Sequence, residues 1–529
     1  MRRYGLLILC LVGVIVVGGG VFASFYVRSL GPRLKIRVVQ ALQDRFDADV
    51  DLKSLEIRLF PEPQVTGEGL TIRHKQWNDP HPLIYIRRFT AATDFSTVLD
   101  RRNRVNLVSL EGLEIHIPPR GRATLKQSTE ANEPVSSDEP GHDSTQLRFL
   151  IQTIVASGTL LEIEPKVPGK TPLQFNIQEL ILHSVGTGKA MAFNAKLSNP
   201  KPPGLIDSSG HFGPWQRDDP RSTPVSGAYT FKNANLGVFN GISGILSSTG
   251  SYHGVLQHIE ADGKTDTPQF ALTGGNPVHL VADFHSVIDG TNGDTILDPV
   301  DATFLRSEFL CRGGVVQQPG PKGKTVSLDA VTKHGHIEDI LALVIGGPKP
   351  LLTGTVNFKT KITIPPGDQD VLDKLKLNGQ FGVLAATFSS KRFQSPLDTL
   401  SDRARGVSKK EQEQTGEPPE AVASNLRGAF KLDNGLASFS RLSFQVPGAL
   451  ISLAGTYSLR SQKIDLDGKF RMQATLSDTQ SGMKHWLLKP FDGLFKKNGA
   501  GFELPITVTG TKNQPEVGTS VFHHKVKIH

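Results

Sequence analysis

The sequence predicts a mainly β protein: an N-terminal transmembrane helix, a short amphipathic helix, then an elongated, curved, groove-like antiparallel sheet with few helices. Three observations predict this. Residues 4–27, YGLLILCLVGVIVVGGGVFASFYV, are 24 positions without a charge. The 53 Gly and 34 Pro are spread along 529 residues rather than clustered, which suits many short strands joined by turns. The C-terminal third alternates apolar and polar residues with period two over long runs, the signature of half-buried strands.

The first element is the uncharged run. About 20 apolar residues span a bilayer's hydrocarbon core as a helix, because only internal hydrogen bonds satisfy the backbone there. A cleaved signal peptide is the competing reading, with Arg2 and Arg3 as its basic end and Val21-Phe22-Ala23 as its cleavage site. Basic residues lie on both sides of the run, so the positive-inside count does not orient it.

Next, GPRLKIRVVQALQDRF sets Leu34, Val38, Leu42 and Phe46 four apart, with Val39 and Ala41 beside them. This predicts one amphipathic helix whose basic residues, with Arg28, Arg33, Lys35 and Arg37 foremost, lie close to the bilayer surface. The period then switches from helical to two in DVDLKSLEIRLFP. Val50 and Leu52, then Leu55, Ile57 and Leu59, form either a strand pair or one bulged strand, ended by Pro61 and Pro63.

Alternation dominates from there to the C-terminus, interrupted by two polar stretches without periodicity. The predicted layout is an anchor at 1–28, a helix with strands at 29–119, a polar loop at 120–146, a middle β region at 147–400, a charged loop at 401–425 and a C-terminal β region at 426–529. On the order of 25 strands fit this length. Beyond the two N-terminal helices, helices are expected only near 336–344, 370–377 and 479–497.

The clearest strand is IDLDGKFRMQATL. Ile464, Leu466, Gly468, Phe470, Met472, Ala474 and Leu476 share one face, and charged or polar residues take the other. Phe430 and Leu432 precede it on an earlier strand, then Phe444, then Ile451, Leu453 and Tyr457. Turns at Asp433-Asn434-Gly435 and Pro447-Gly448 separate these runs. An amphipathic meander must cover its apolar face with a second sheet, with helices or with a ligand. The short supply of helices leaves a β-sandwich core or an apolar groove for lipid chains as the two readings.

Composition excludes some classes of function. A net charge of +8 comes from basic residues interspersed with acids, and no motif supports nucleic-acid binding. Two cysteines, Cys10 and Cys311, one inside the apolar run, make no plausible disulfide pair. Gly263-Lys264-Thr265 and Gly323-Lys324-Thr325 lack the leading glycine of a phosphate-binding loop, since His258 and Gln318 stand in its place. His334 and His336 lack the companions of a zinc site, and Ser481-Gly482-Met483-Lys484 lacks those of a penicillin-recognising enzyme. No catalytic residue, metal or cofactor is expected, so the chain reads as a non-enzyme. The segment TQSGMKHWLLKPFDGLFKK places Trp486 among lysines and apolar residues, as an interfacial helix does; a plug at the sheet end uses the same residues.

Three segments carry a family resemblance: DADVDLKSLEIRLFPEPQVTGEGLTI near the start, GAFKLDNGLASFSRLSFQVPGALISLAGTYSLRSQKIDLDGKFRM, and the closing LPITVTGTKNQPEVG. With the anchor and short helix they resemble the AsmA-like family of bacterial envelope proteins. The match is specific at both ends and by pattern in the middle. The resemblance implies a single-pass inner-membrane protein with its bulk in the periplasm. It also implies an apolar β-groove that carries phospholipid acyl chains between inner and outer membranes, lined by Phe430 to Leu476 as named above. Phospholipids are the implied partners, with an outer-membrane or periplasmic protein at the far end. The alternative is an assembly or scaffold factor for outer-membrane proteins that carries no lipid.

Overall fold

The computed structural model describes residues 32, 34–40, 42–43, 48–58, 62–74, 81–93, 104–117, 150–163, 172–185, 188–216, 219–318, 323–389, 424–446, 449–472, 503–511, 514–521 and 524–527. These hold 25 strands and few helices. The chain divides into two compact units. The first comprises Met1–Lys232, Thr249–Ala261 and Val287–Gly293; the second comprises Asn233–Ser248, Asp262–Ser286 and Asp294–His529.

Unit 1 begins with a helix, α1, over residues 34–40, at the predicted place. Its apolar side, including Val39, packs with Leu42 against Ala48, Val50 and Leu52 of the first strand, while Ile36 is exposed. The strands are β1 (Ala48–Arg58), β2 (Gln64–His74), β3 (Ile84–Ala92), β4 (Arg104–Ile117), β5 (Leu150–Ile163), β6 (Leu173–Val185), β7 (Met191–Pro200), β8 (Pro203–Phe212) and β9 (Pro224–Asn235), the last running on into the residues of unit 2. The stretch DVDLKSLEIR is one strand rather than a pair, and its inside–outside phase switches at Lys53–Ser54. Lys53 lies over Gly69, whose lack of a Cβ leaves room for its stem and whose φ is +65°.

Neighbours in unit 1 pair antiparallel with one exception that corrects the sequence reading: β4 and β5 run parallel, from Arg104 opposite Leu150 to Ile117 opposite Ile163. Parallel neighbours need a connection that returns the chain to the strand's starting end. Residues 118–149, which join the two strands, lie outside the described residues.

Unit 2 contains β14 (Thr295–Phe304), β15 (Ser307–Val316), β16 (Thr325–His334), helix α2 (Ile337–Val344), β17 (Leu352–Ile364), the single turn α3 (Val371–Lys374), β18 (Lys376–Phe388), β19 (Ser424–Asp433), β20 (Leu436–Val446), β21 (Ala449–Ser458), β22 (Lys463–Met472), β23 (Glu503–Thr511), β24 (Pro515–Val521) and β25 (His524–Lys527). From β14 onward each strand pairs antiparallel with the next. Residues of the strands β10 (Ile242–Ser243), β11 (Ile245–Val255), β12 (His258–Leu272) and β13 (Val278–Ile288) precede them. The helix expected at 336–344 is α2. The one expected at 370–377 stops after a turn: Asp370 caps it by accepting from the Leu372 N–H at 2.8 Å, and from Lys376 the alternation of Leu377, Gly379 and Phe381 draws the chain into the sheet.

The sheet of unit 2 curls. Its ladders β17–β18, β18–β19, β19–β20 and β20–β21 each carry a register shift, and an extra residue in one strand bends it and sharpens its twist.

No helix among the described residues is long and apolar enough to cross a membrane. The 4–27 run, the 120–146 and 401–423 stretches, the Pro447-Gly448 turn and the expected helix at 479–497 lie outside the described residues.

Candidate functional site

The residues singled out from the sequence converge on one face of unit 2. Register places Phe444 opposite Ile451 and Ile451 opposite Phe470, a row across β20, β21 and β22. The next rows set Leu442 against Leu453, and Gly455 against Leu466. A further pair joins Tyr457 to Ile464, and Leu432 faces Ala437. Because successive side chains point to opposite faces, these residues share a side. Ile451 is 9% exposed, Leu453 7%, Phe470 7% and Leu432 6%. At about 1.5–3 kcal/mol for each fully buried large side chain, this face is a principal source of the unit's stability.

The packing has an unusual source. Ala449, Ile451, Leu453 and Phe470 form a buried cluster, and the partners around it, Leu442, Phe444, Leu466, Ile506 and Val508, all belong to β20–β23 themselves. Among the described residues, this cluster packs side chain against side chain within one sheet. At the other end α2 supplies a cover: Ile337, Ile340 and Leu341 lie on Leu352, Val356, Val383, Ala386 and Leu426. That extension of the face through β17 and β18 was missed in the sequence, although LTGTVNFKTKITI carries the alternation that marks it.

Tyr457 lies half-buried on this face, and burial raises its phenol above the usual tyrosine range. Met472 is in register opposite Ala449. Leu476, Trp486, Arg28 and Arg33 lie outside the described residues. Lys35 does not stand free on α1: its Nζ donates to the Lys53 carbonyl at 3.2 Å, tying the helix to β1, whereas Arg37 is exposed.

The other face of these strands is polar. In β22 the exposed Lys463, Asp465, Asp467, Lys469 and Arg471 alternate with the apolar set. Some of its charges are paired across strands. Lys469 and Arg471 hold Glu503 at 2.6 and 3.1 Å, and Lys376 lies 3.5 Å from Asp433. Arg460 bonds Asp373. A depression of about 640 Å³ lies on this polar face, over Gly382 and Ala429.

The other candidates have ordinary settings. Lys264 lies within β12 near Asp283, 3.7 Å away, and Lys324 lies 3.8 Å from Asp294. His334 meets Glu308 at 3.4 Å at the end of β16. No group of His, Cys, Asp or Glu among the described residues is arranged to hold a metal. Burial, with Asp301 adding to it, raises the Cys311 thiol above its ordinary range, which disfavours the reactive thiolate.

No family model, curated protein or solved structure matches the chain. The chemistry of the site is therefore argued from its own residues: it offers apolar contact over several strands on one face and fixed charge on the other.

Proposed function

We propose that this chain is a membrane-anchored envelope protein that holds phospholipid acyl chains against the apolar face of unit 2 and so supports lipid homeostasis between inner and outer membranes. One observation carries the reading: among the described residues, the buried cluster of Ala449, Ile451, Leu453 and Phe470 packs against neighbours in its own sheet and against no second layer. A curled sheet of this kind is compatible in shape with an acyl chain lying along it. Each methylene removed from water contributes about 0.8 kcal/mol, so a chain of ordinary length supplies ample affinity while its head group stays in solvent. The anchor read at 1–28 and the basic helix after it would keep that face at a bilayer surface. Placement in the inner membrane and periplasm rests on the AsmA-like sequence motifs.

The test uses the full chain in a two-membrane bacterium. A photo-crosslinking amino acid replaces Leu453 or Phe470 on the apolar face, or Ser452 or Arg471 on the polar face, in cells labelled with radioactive phosphate. Lipid adducts at the first pair and not at the second support the reading. Adducts at neither pair, or at both equally, overturn it, and protein adducts at the apolar positions favour the scaffold reading.

A further inference from the structure

A second site lies on the opposite face of unit 2, and it does not depend on the acyl-chain reading. Two successive rows of polar-face residues cross β17 to β20. One runs Asn357, Gly382, Arg427, Ser443; the other runs Lys359, Gln380, Ala429, Arg441. Gly382 and Ala429, the two small residues, sit on the diagonal and make the floor of the 640 Å³ depression. Longer side chains ring it. Lys359 and Arg441 stand at its outer edges, three strands or about 14 Å apart, and Arg427 adjoins Gly382.

Three features distinguish this place from the rest of the polar face. No carboxylate among the described residues lines the depression. Elsewhere on the face Lys333, Lys376, Lys469 and Arg471 each have an acid partner, whereas Lys359, Arg427 and Arg441, like the distant Lys463, have none among the described residues. The next row adds Lys361 and Lys431, with Asp329 opposite Lys361 as the acid on that side. Unpaired like charges held together raise the local potential and call for a counter-charge. The volume suits a small molecule, and Asn357 and Gln380 add neutral hydrogen-bonding amides.

We propose that this depression binds a phosphate-ester anion through Lys359, Arg427 and Arg441. Two guanidiniums and an ammonium around a concave floor match a tetrahedral oxyanion, because arginine offers paired donors and lysine a compact charge. The amides contact the esterified group. The same chemistry is carried by a soluble phosphate ester and by a phospholipid head group.

The test uses the full chain in mild, uncharged detergent. Inorganic phosphate and sn-glycerol 3-phosphate are titrated calorimetrically with glycerol as the uncharged control, and phosphatidylglycerol vesicles are compared with phosphatidylcholine vesicles by flotation. Saturable binding is expected, weakened roughly tenfold or more in K359Q/R427Q/R441Q and unchanged in K376Q/R460Q, whose cations are already paired. Gly382→Val fills the floor without removing a charge. Its Cβ has room, the nearest atom being Arg427 Cγ at 3.8 Å, so it should fold and still bind at least several-fold more weakly. Binding of the soluble esters identifies a free ligand, and binding of the anionic vesicles alone identifies a head group. The proposal is overturned if no probe binds, if both cation variants lose binding equally, or if Gly382→Val binds as the wild type does.

Discussion

The rings of Phe358 and Phe430 stack at 5.7 Å between centroids although a whole strand, β18, separates their backbones. Strands two apart lie about 9.6 Å from each other, so the rings must lean together. Phe381 of β18, the register partner of Phe358, joins them, its ring edge-on to that of Phe430 at 6.0 Å between centroids. Phe388 and Phe444 stack likewise at 5.5 Å across β19. Both stacks lie on the apolar face. Phe430→Ala should destabilise unit 2 by about 2 kcal/mol, with about 0.5–1.5 kcal/mol of it shared with Phe358. A double-mutant cycle in urea with Phe358→Ala measures the shared part, and additive effects would show that the stack carries no coupling.

Asp339 fastens α2 over this face. It is 3% exposed and accepts from the Ser307 hydroxyl at 2.8 Å and from the Arg306 backbone N–H at 3.0 Å. Replacing it with alanine leaves both donors without their acceptor, at about 1–3 kcal/mol each. Asp339→Ala should therefore lower the urea midpoint strongly and speed amide exchange across 337–344, and Asp339→Asn should recover much of the loss. Unchanged exchange in the alanine variant would mean that packing alone holds the helix.

Glu503 sets an acid limit on the pairing of β22 with β23. Hydrogen bonds from Lys469 and then Arg471 hold its carboxyl below the usual carboxylate range. A depressed value in the folded state means that the unfolded chain takes up the proton first as pH falls. The contribution is thus complete above the ordinary glutamate range near pH ~4.3 and is lost as pH drops through the folded value. Glu503→Gln should flatten the acid limb of a stability–pH profile below about pH 5 and leave Lys376→Gln, at a separate pair, as an unaffected comparison. An acid limb unchanged by the substitution would assign it to other carboxylates.

Much of this was legible before any coordinates. The face from Phe430 to Phe470 follows from strict alternation, because a half-buried strand forces period two on its sequence. Three features were not. Parallel pairing of β4 and β5 leaves no trace in alternation, since it depends on the path of the connection and not on the strands. The one-turn stop of α3 turns on which of two short-range patterns, helical or alternating, recruits Leu375 and Lys376. The depression over Gly382 joins Lys359 to Arg427 and Arg441, which lie far along the chain and meet only through the register of four strands.

The crossover between β4 and β5 sets a minimum length for the segment that joins them. To start β5 beside Arg104, the chain must travel back along 14 residues of β4 from Ile117, about 46 Å at roughly 3.3 Å per residue. Fully extended, about 14 residues are needed, and residues 118–149 supply 32. Removing 124–133 leaves 22 and should change stability only slightly, because loop closure depends weakly on length. Removing 120–146 leaves five, which reach no more than about 18 Å. The parallel pair then cannot form, and Leu110 of β4 and Ala156 of β5, both buried in the core of unit 1, lose their common cluster. Thermal unfolding of the two deletions, with amide exchange over 104–117 and 150–163, distinguishes these cases. Native exchange in the longer deletion would show that β5 pairs with β4 by a route other than this crossover.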